Sequence, residues 1–271
     1  MGSLNREEYV EQAYFFKTFR ERLDDGYSSQ EILHAMKNEL LSATMLPVAV
    51  GVLLSEVKLS GKMSVAMARV PHYFTSFQTF VIRQAEREEG RFDFRIALEV
   101  LEREAQYRTS ELYSAQGVFF FQFETISRNR LGFDYGLEAV SKDPVYDENW
   151  KNWINVVLRR QIGFVDIANL VYVRSEHYRL QEDEEPRPVL FGEKEGRIAH
   201  ASAGRDPSFF FSALQRHLGY PAVPRHSIEE LREDPATAEL RRKIELLENR
   251  LQILQEELKG GLNLERFYVK E

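Results

Sequence analysis

The stretch Val118-Phe119-Phe120-Phe121-Gln122-Phe123-Glu124 would place apolar side chains around much of the circumference of a helix. A helix of this kind is typical of a buried position, because a surface helix keeps one polar face. The stretch lies in a helical pattern that runs from about Ser110 to Arg130 and is closed by Leu131-Gly132. The sequence therefore predicts a buried helix within a larger helical body.

Helix-start signals recur on the N-terminal side of this stretch. Asn5 with Glu8, and Ser28 with Glu31, have the spacing of capping boxes. Pro47 suits the first turn of a further helix, where its missing N–H has no helical partner. Additional helical patterns are predicted at about residues 63–70, 71–88, 92–107, 135–140 and 148–180.

The composition changes after residue 180, where an acidic, proline-bearing turn begins. Val189-Leu190-Phe191 and Arg197-Ile198-Ala199 flank a glycine-bounded segment, which predicts a small β-hairpin. The expected fold class is all-α: a multi-helix bundle with one small β-hairpin and a C-terminal coiled-coil-like helix. The predicted divisions are a helical bundle at 1–182, the hairpin plus a short helix at 183–219, a Pro-containing linker at 220–234, and the C-terminal helix and tail at 235–271.

Composition restricts the class of protein. The 271 residues are 43% hydrophobic and 29% charged, which is typical of a globular chain. The absence of cysteine excludes disulfides and thiolate metal sites and is compatible with the predicted cytoplasmic location. A net charge of −7 without a basic run argues against nucleic acid as a partner. The most apolar stretch, 40–54, is shorter than the roughly 20 residues of a membrane span, so no membrane partner is predicted.

The clearest pattern is a seam of apolar residues near the C-terminus, spaced alternately by four and three residues. This spacing gives the a and d positions of three heptads and predicts a coiled coil. Two structures fit it: a dimer or an assembly with another helical protein, or a helix that folds back on its own bundle. We favour self-association, with the oligomerisation residues Leu240, Ile244, Leu247, Leu251, Leu254 and Leu258.

Two sets of polar residues are candidate ligand-binding groups. Glu124 and Arg128 are spaced for a helical ion pair, which is either structural or faces a ligand. The second set forms a polar stripe on the 148–180 pattern, explained by a solvated outer face, an interhelical network or one wall of a pocket. Its members are Arg159, Asp166, Asn169, Glu176 and His177.

Catalytic and metal-binding signals are weak. Di-iron bundles use Glu-x-x-His on two helices, and Glu31 to His34 is a single copy. Glu31 is better explained as a helix cap, so no metal is predicted. Phosphate-binding glycine loops and nucleophile elbows are also missing from the sequence, and no cofactor is predicted.

The expected function is that of a cytoplasmic helical scaffold that self-associates through its C-terminal helix. The alternative is a helical enzyme or small-molecule sensor whose polar pocket lies on the 148–180 helix. A helical metalloprotein is a weaker third possibility.

Overall fold

Thirteen helices make up the described part of the chain, which in the computed structural model comprises residues 4–87, 92–160, 166–181 and 188–225. The expected all-α class is confirmed. The helices are α1 (Arg6–Asp24), α2 (Ser29–Glu39), α3 (Leu46–Ser60), α4 (Met63–Arg69), α5 (Ser76–Ala85), α6 (Phe94–Thr109), α7 (Ala115–Arg128), α8 (Phe133–Ser141), α9 (Glu148–Arg159), α10 (Ile167–Val173), α11 (Glu176–Gln181), α12 (Glu193–Ser202) and α13 (Pro207–Leu218).

Local capping chemistry sets several helix ends where the sequence predicts them. Ser28 and Glu31 form the expected capping box at the start of α2. Gly61 ends α3 with a φ of 70°, a left-handed conformation that favours glycine. The Asp206 side chain caps α13 just before Pro207. These ends depend on residues a few positions apart, so the sequence alone is enough to place them.

The capping box predicted at α1 forms only in part. The Asn5 side chain accepts from the backbone N–H of Glu8 at 3.0 Å, as expected. The Glu8 carboxylate, however, accepts from the Met45 backbone N–H at 2.8 Å and from the Tyr73 hydroxyl at 2.9 Å. Glu8 therefore connects α1 to the start of α3 and to the loop before α5 instead of closing its own cap.

One hydrophobic core runs through the described residues, from Phe15 in α1 to Tyr220 beyond α13. Helix α1 lies along α6, α2 packs on α3, and α8 packs on α9. The predicted buried helix is α7, in which residues 117–126 are all buried. Aromatic rings pack around it, with the Phe119 and Trp153 ring centroids 4.9 Å apart.

The long helical pattern predicted from residue 148 to residue 180 corresponds to three helices, α9, α10 and α11. Arg174 and Ser175 separate the last two. The Arg174 carbonyl accepts from the Leu190 backbone N–H at 2.9 Å, and Ser175 makes an isolated parallel bridge with Phe191. The segment that contains Leu190 and Phe191 therefore bonds to the backbone at the point where a continuous helix was expected.

The predicted β-hairpin is wrong in its second strand. Val189-Leu190-Phe191 lies outside the helices and contributes the isolated bridge at Phe191, but Arg197-Ile198-Ala199 lies within α12. Glu193 and Glu195 occupy the first turn of this helix, where negative charge stabilises the positive end of the helix dipole. The glycine-bounded segment thus starts a helix instead of closing a turn.

Residues 220–225, which follow α13, remain in contact with the helical body. The buried Tyr220 hydroxyl donates to Glu124, Asn129 Nδ2 donates to the Pro224 carbonyl at 3.0 Å, and an Arg103 N–H donates to the Ala222 carbonyl at 2.6 Å. The described residues up to Arg225 belong to one compact unit. Residues 220–225 therefore belong to the body, although the sequence suggests a linker.

Within the ranges described above, no helix combines the length and the apolar character needed to cross a membrane.

Candidate functional site

Several buried polar groups form a network between α6, α7 and the segment that follows α8. The Arg108 guanidinium is 0% exposed, and its Nη2 donates to Glu104 Oε1 at 2.9 Å and to Asp143 Oδ2 at 2.5 Å. Gln122 Nε2 donates to the same two carboxylates at 2.7 and 3.1 Å. The Tyr146 hydroxyl completes the network by donating to Gln122 Oε1 at 3.0 Å. We refer to these five residues as the Arg108 network.

The Arg108 network holds one cation and two carboxyl groups away from water. Burial disfavours the charged form of Glu104 and raises the pKa of this carboxyl, and the nearby Asp143 charge adds to the effect. Glu104 Oε2 and Arg108 Nε have no hydrogen-bond partner within the described residues. A proton on Glu104 would leave Arg108 paired with a single carboxylate and the network electrically neutral.

Sequence reasoning did not identify the Arg108 network, although one signal was present. The spacing of Phe94, Ala97, Leu98, Leu101 and Ala105 predicts one buried face for this helix, with charged residues on the other face. Residue 108 follows Leu101 and Ala105 at helical spacing and so continues that buried face. Glu104 lies four residues before Arg108, which is the spacing of an ion pair. An ion pair at core positions predicts a buried polar network.

The predicted ion pair between Glu124 and Arg128 is present. Glu124 is buried, and its Oε1 also accepts from the Tyr220 hydroxyl at 2.6 Å. Arg128 is half-buried. The pair therefore connects the segment after α13 to α7. Neither residue lines either of the two clefts described below.

The polar stripe is distributed over the three helices that replace the expected long one. Arg159 ends α9, Asp166 precedes α10 and Asn169 lies within α10, and all three side chains are exposed. Their exposure favours the outer-face explanation among the alternatives. Glu176 and His177 begin α11 and are half-buried.

His177 lies in a small aromatic group with Tyr172 and His200. The Tyr172 ring centroid is 6.1 Å from that of His177 and 4.7 Å from that of His200. Helix α12 can lie close to Ser175 and to the start of α11 because residue 196 is glycine. A Cβ at this position would lie 2.2 Å from Ser175 Oγ and 2.7 Å from the His177 Cβ. The arrangement packs α11 against α12, and it brings together two imidazoles and one phenol.

No group of three or more metal-ligating side chains occurs in the part of the chain that the structure describes. At the single Glu-x-x-His, the Glu31 carboxylate accepts from the Ser28 backbone N–H at 2.8 Å. This hydrogen bonding to Ser28 lowers the pKa of Glu31. Glu31 thus acts as the predicted cap, and His34 is exposed.

The described surface includes two clefts that are open to solvent. The larger, of about 550 Å³, lies between α5 and α8, and we call it the α5–α8 cleft. The smaller, of about 210 Å³, is lined by residues of α1, α2, α3, α4 and α6 together with Gly61 and Glu86. The volume of the larger cleft falls in the usual range for small-molecule sites. No sequence motif marked its residues.

The predicted oligomerisation residues, Leu240, Ile244, Leu247, Leu251, Leu254 and Leu258, lie outside the described residues.

Comparison of the chain with protein families, with curated proteins and with solved structures finds no match.

Proposed function

We propose that the chain is a helical scaffold that self-associates, as a dimer, through its C-terminal helix. The observation that carries this proposal is the apolar seam from Leu240 to Leu258, whose alternating spacing of four and three residues gives three heptads. Leucine at all three d positions favours a two-stranded coiled coil, although leucine at two of the three a positions weakens that preference. The proposal includes the cytoplasmic location, which is supported by the absence of cysteine.

The end of the described body gives the proposal a geometric consequence. Residues 220–225 are tied to α6 and α7 by the hydrogen bonds of Tyr220, Ala222 and Pro224. Residues 226–239 connect this fixed point to the first seam residue and span at most about 50 Å when fully extended. Two bodies joined by the seam would therefore be held within a limited distance, as a scaffold requires.

The proposal is tested by the mass of the full chain in solution. Sedimentation equilibrium should give the parent twice the monomer mass of 31.7 kDa. Leu247→Glu with Leu251→Glu places charge at a d and an a position, so it should reduce the mass to that of a monomer. Far-ultraviolet circular dichroism of the same samples should show that the body remains helical.

The matched control is Asn249→Glu with Gln252→Glu, which adds the same charge at f and b positions outside the seam. The control should keep the parental mass. A monomeric parent, or a control that dissociates as readily as the seam variant, would reject the proposal.

A further inference from the structure

The α5–α8 cleft combines an apolar base with a polar rim. Phe74 and Phe80 line it and are nearly buried, at 1% and 4% exposure, whereas Arg83, Arg87 and Lys142 are exposed. Ligand sites commonly have this composition: apolar surface for the body of the ligand and a few polar groups that orient it.

Tight packing holds the two walls of the cleft in place. Gly136 in α8 faces α5 and α7 so closely that a Cβ there would lie 2.8 Å from Ile126 Cδ1 and 3.2 Å from Phe80 Cε1. Phe80 thus contributes to the cleft and to the contact that fixes α8 beside α5. A cleft whose walls are already positioned loses less conformational entropy when a ligand binds.

The rim carries more positive than negative charge, although the whole chain has a net charge of −7. Its single carboxylate, Glu138, pairs with Lys142 at 2.7 Å. Arg87 donates to Gln84 Oε1 at 3.3 Å and forms no ion pair with any described residue. Arg83 makes no hydrogen bond or ion pair with any described residue. Among the described residues, therefore, neither of the two guanidinium groups that line the cleft is paired with a carboxylate.

We propose that the α5–α8 cleft binds a small organic anion, with an apolar ring or chain against Phe74 and Phe80 and an anionic group at Arg83 and Arg87. A guanidinium presents parallel N–H donors that match the oxygen atoms of a carboxylate, sulfonate or phosphate. An exposed ion pair alone contributes little binding free energy, and burial of the apolar part of the ligand against Phe74 and Phe80 adds to it. This binding activity is independent of the C-terminal seam.

The smaller cleft provides a comparison that favours this assignment. Its charged lining residue is Glu86, whose carboxylate accepts from the backbone N–H groups of Met63 at 2.5 Å and Ser64 at 3.0 Å. Glu86 thus caps the start of α4. The smaller cleft has no cation among its lining residues, so it lacks the group that would recognise an anion.

Two fluorescent probes of nearly equal shape test the proposal. Anilinonaphthalene sulfonate is an aromatic anion, and phenylnaphthylamine is the same skeleton without the sulfonate. Titration of the full chain should show one sulfonate probe bound per chain, with an affinity that falls as salt is added. Arg83→Gln with Arg87→Gln should raise its dissociation constant by about three- to tenfold and leave phenylnaphthylamine binding nearly unchanged.

Two further variants separate the cleft from general charge effects. Arg205→Gln with Arg216→Gln removes the same charge from exposed positions outside the cleft and should leave both probes unaffected. Ala68→Phe fills part of the apolar space from an exposed lining position, so it should weaken both probes.

Benzoate and phenyl phosphate, added as competitors, distinguish a carboxylate from a phosphate ligand, and displacement by either supports the proposal. The proposal would be overturned if the Arg83/Arg87 variant bound both probes more weakly by the same factor. It would also be overturned if the Arg205/Arg216 variant weakened binding of the sulfonate probe as much as the Arg83/Arg87 variant does. Displacement by a short acidic peptide but by neither small anion would mean that a partner segment occupies the cleft, which would also overturn it.

Discussion

Arg108 and Arg83 lie on two helices that pack together, α6 and α5, yet their surroundings differ completely. The Arg108 side chain is 0% exposed and lies between two carboxyl groups. Arg83 is exposed and has no partner among the described residues. A guanidinium removed from water must be paired, so its N–H donors are occupied by hydrogen bonds within the protein. The N–H donors of an exposed guanidinium can still bind a ligand. The difference between these two arginines is therefore set by burial and not by residue type.

The same contrast applies to the carboxyl groups beside each cation. Glu104 is held near Arg108 without water, and burial raises the pKa of this carboxyl. Glu138 lies on the surface, where its hydrogen bond to Lys142 lowers the pKa of the Glu138 carboxyl. The two glutamates should therefore change protein stability with pH in opposite directions.

The largest expected effect is that of removing the buried cation. Arg108→Met would leave Glu104 and Asp143 without their positive partner, and breaking a buried pair in this way lowers the free energy of unfolding by about 3–5 kcal/mol. The matched change at the exposed arginine, Arg83→Met, should stay within about 0.5 kcal/mol of the parent. Urea denaturation followed by circular dichroism measures both. Similar losses in the two variants would show that the Arg108 network contributes little to stability.

The features that were predictable from the sequence are those set by neighbouring residues. Ser28 with Glu31, Gly61, and Asp206 with Pro207 define helix ends through contacts within one turn. The burial of α7 followed from its apolar circumference.

Features that depend on distant contacts were missed or only partly predicted. Glu8 has the spacing of a cap, but Met45 and Tyr73 provide better-placed donors once α3 and the loop before α5 pack beside it. The hairpin prediction failed because Phe191 packs on Trp150 and Trp153 and bridges to Ser175, a partner outside the expected hairpin. The α5–α8 cleft joins two helices that are distant in sequence, so no local pattern could reveal it.

An intermediate effect is expected when Glu104 loses its ability to titrate. Because the pKa of Glu104 is raised in the folded protein, its protonated form stabilises the fold fully below the ordinary value of 4.5, and this contribution is lost as pH rises through the folded pKa. Glu104→Gln keeps an acceptor for Arg108 and Gln122 but has no proton to lose. The variant should match the parent near pH 4 and gain on it toward pH 8, by about 1.4 kcal/mol for each unit by which the pKa is raised.

Urea denaturation at several pH values between 4 and 8 measures this difference. A constant gap between Glu104→Gln and the parent across that range would contradict a raised pKa for Glu104.

The smallest effect on stability, with the opposite sign, is expected at Glu138. The pKa of Glu138 is lowered by the Lys142 hydrogen bond, so its ionised form contributes stability above the ordinary value of 4.5, and this contribution is lost as pH falls through the folded pKa. Glu138→Gln should therefore be slightly less stable than the parent at pH 8 and equal to it at low pH, with a change much smaller than that of Glu104→Gln because the pair is exposed. The same substitution frees Lys142 at the rim of the α5–α8 cleft, so anilinonaphthalene sulfonate should bind more tightly while the protein becomes less stable. Loss of stability together with weaker dye binding would mean that Glu138 supports the cleft wall, and that its charge does not oppose an anionic ligand.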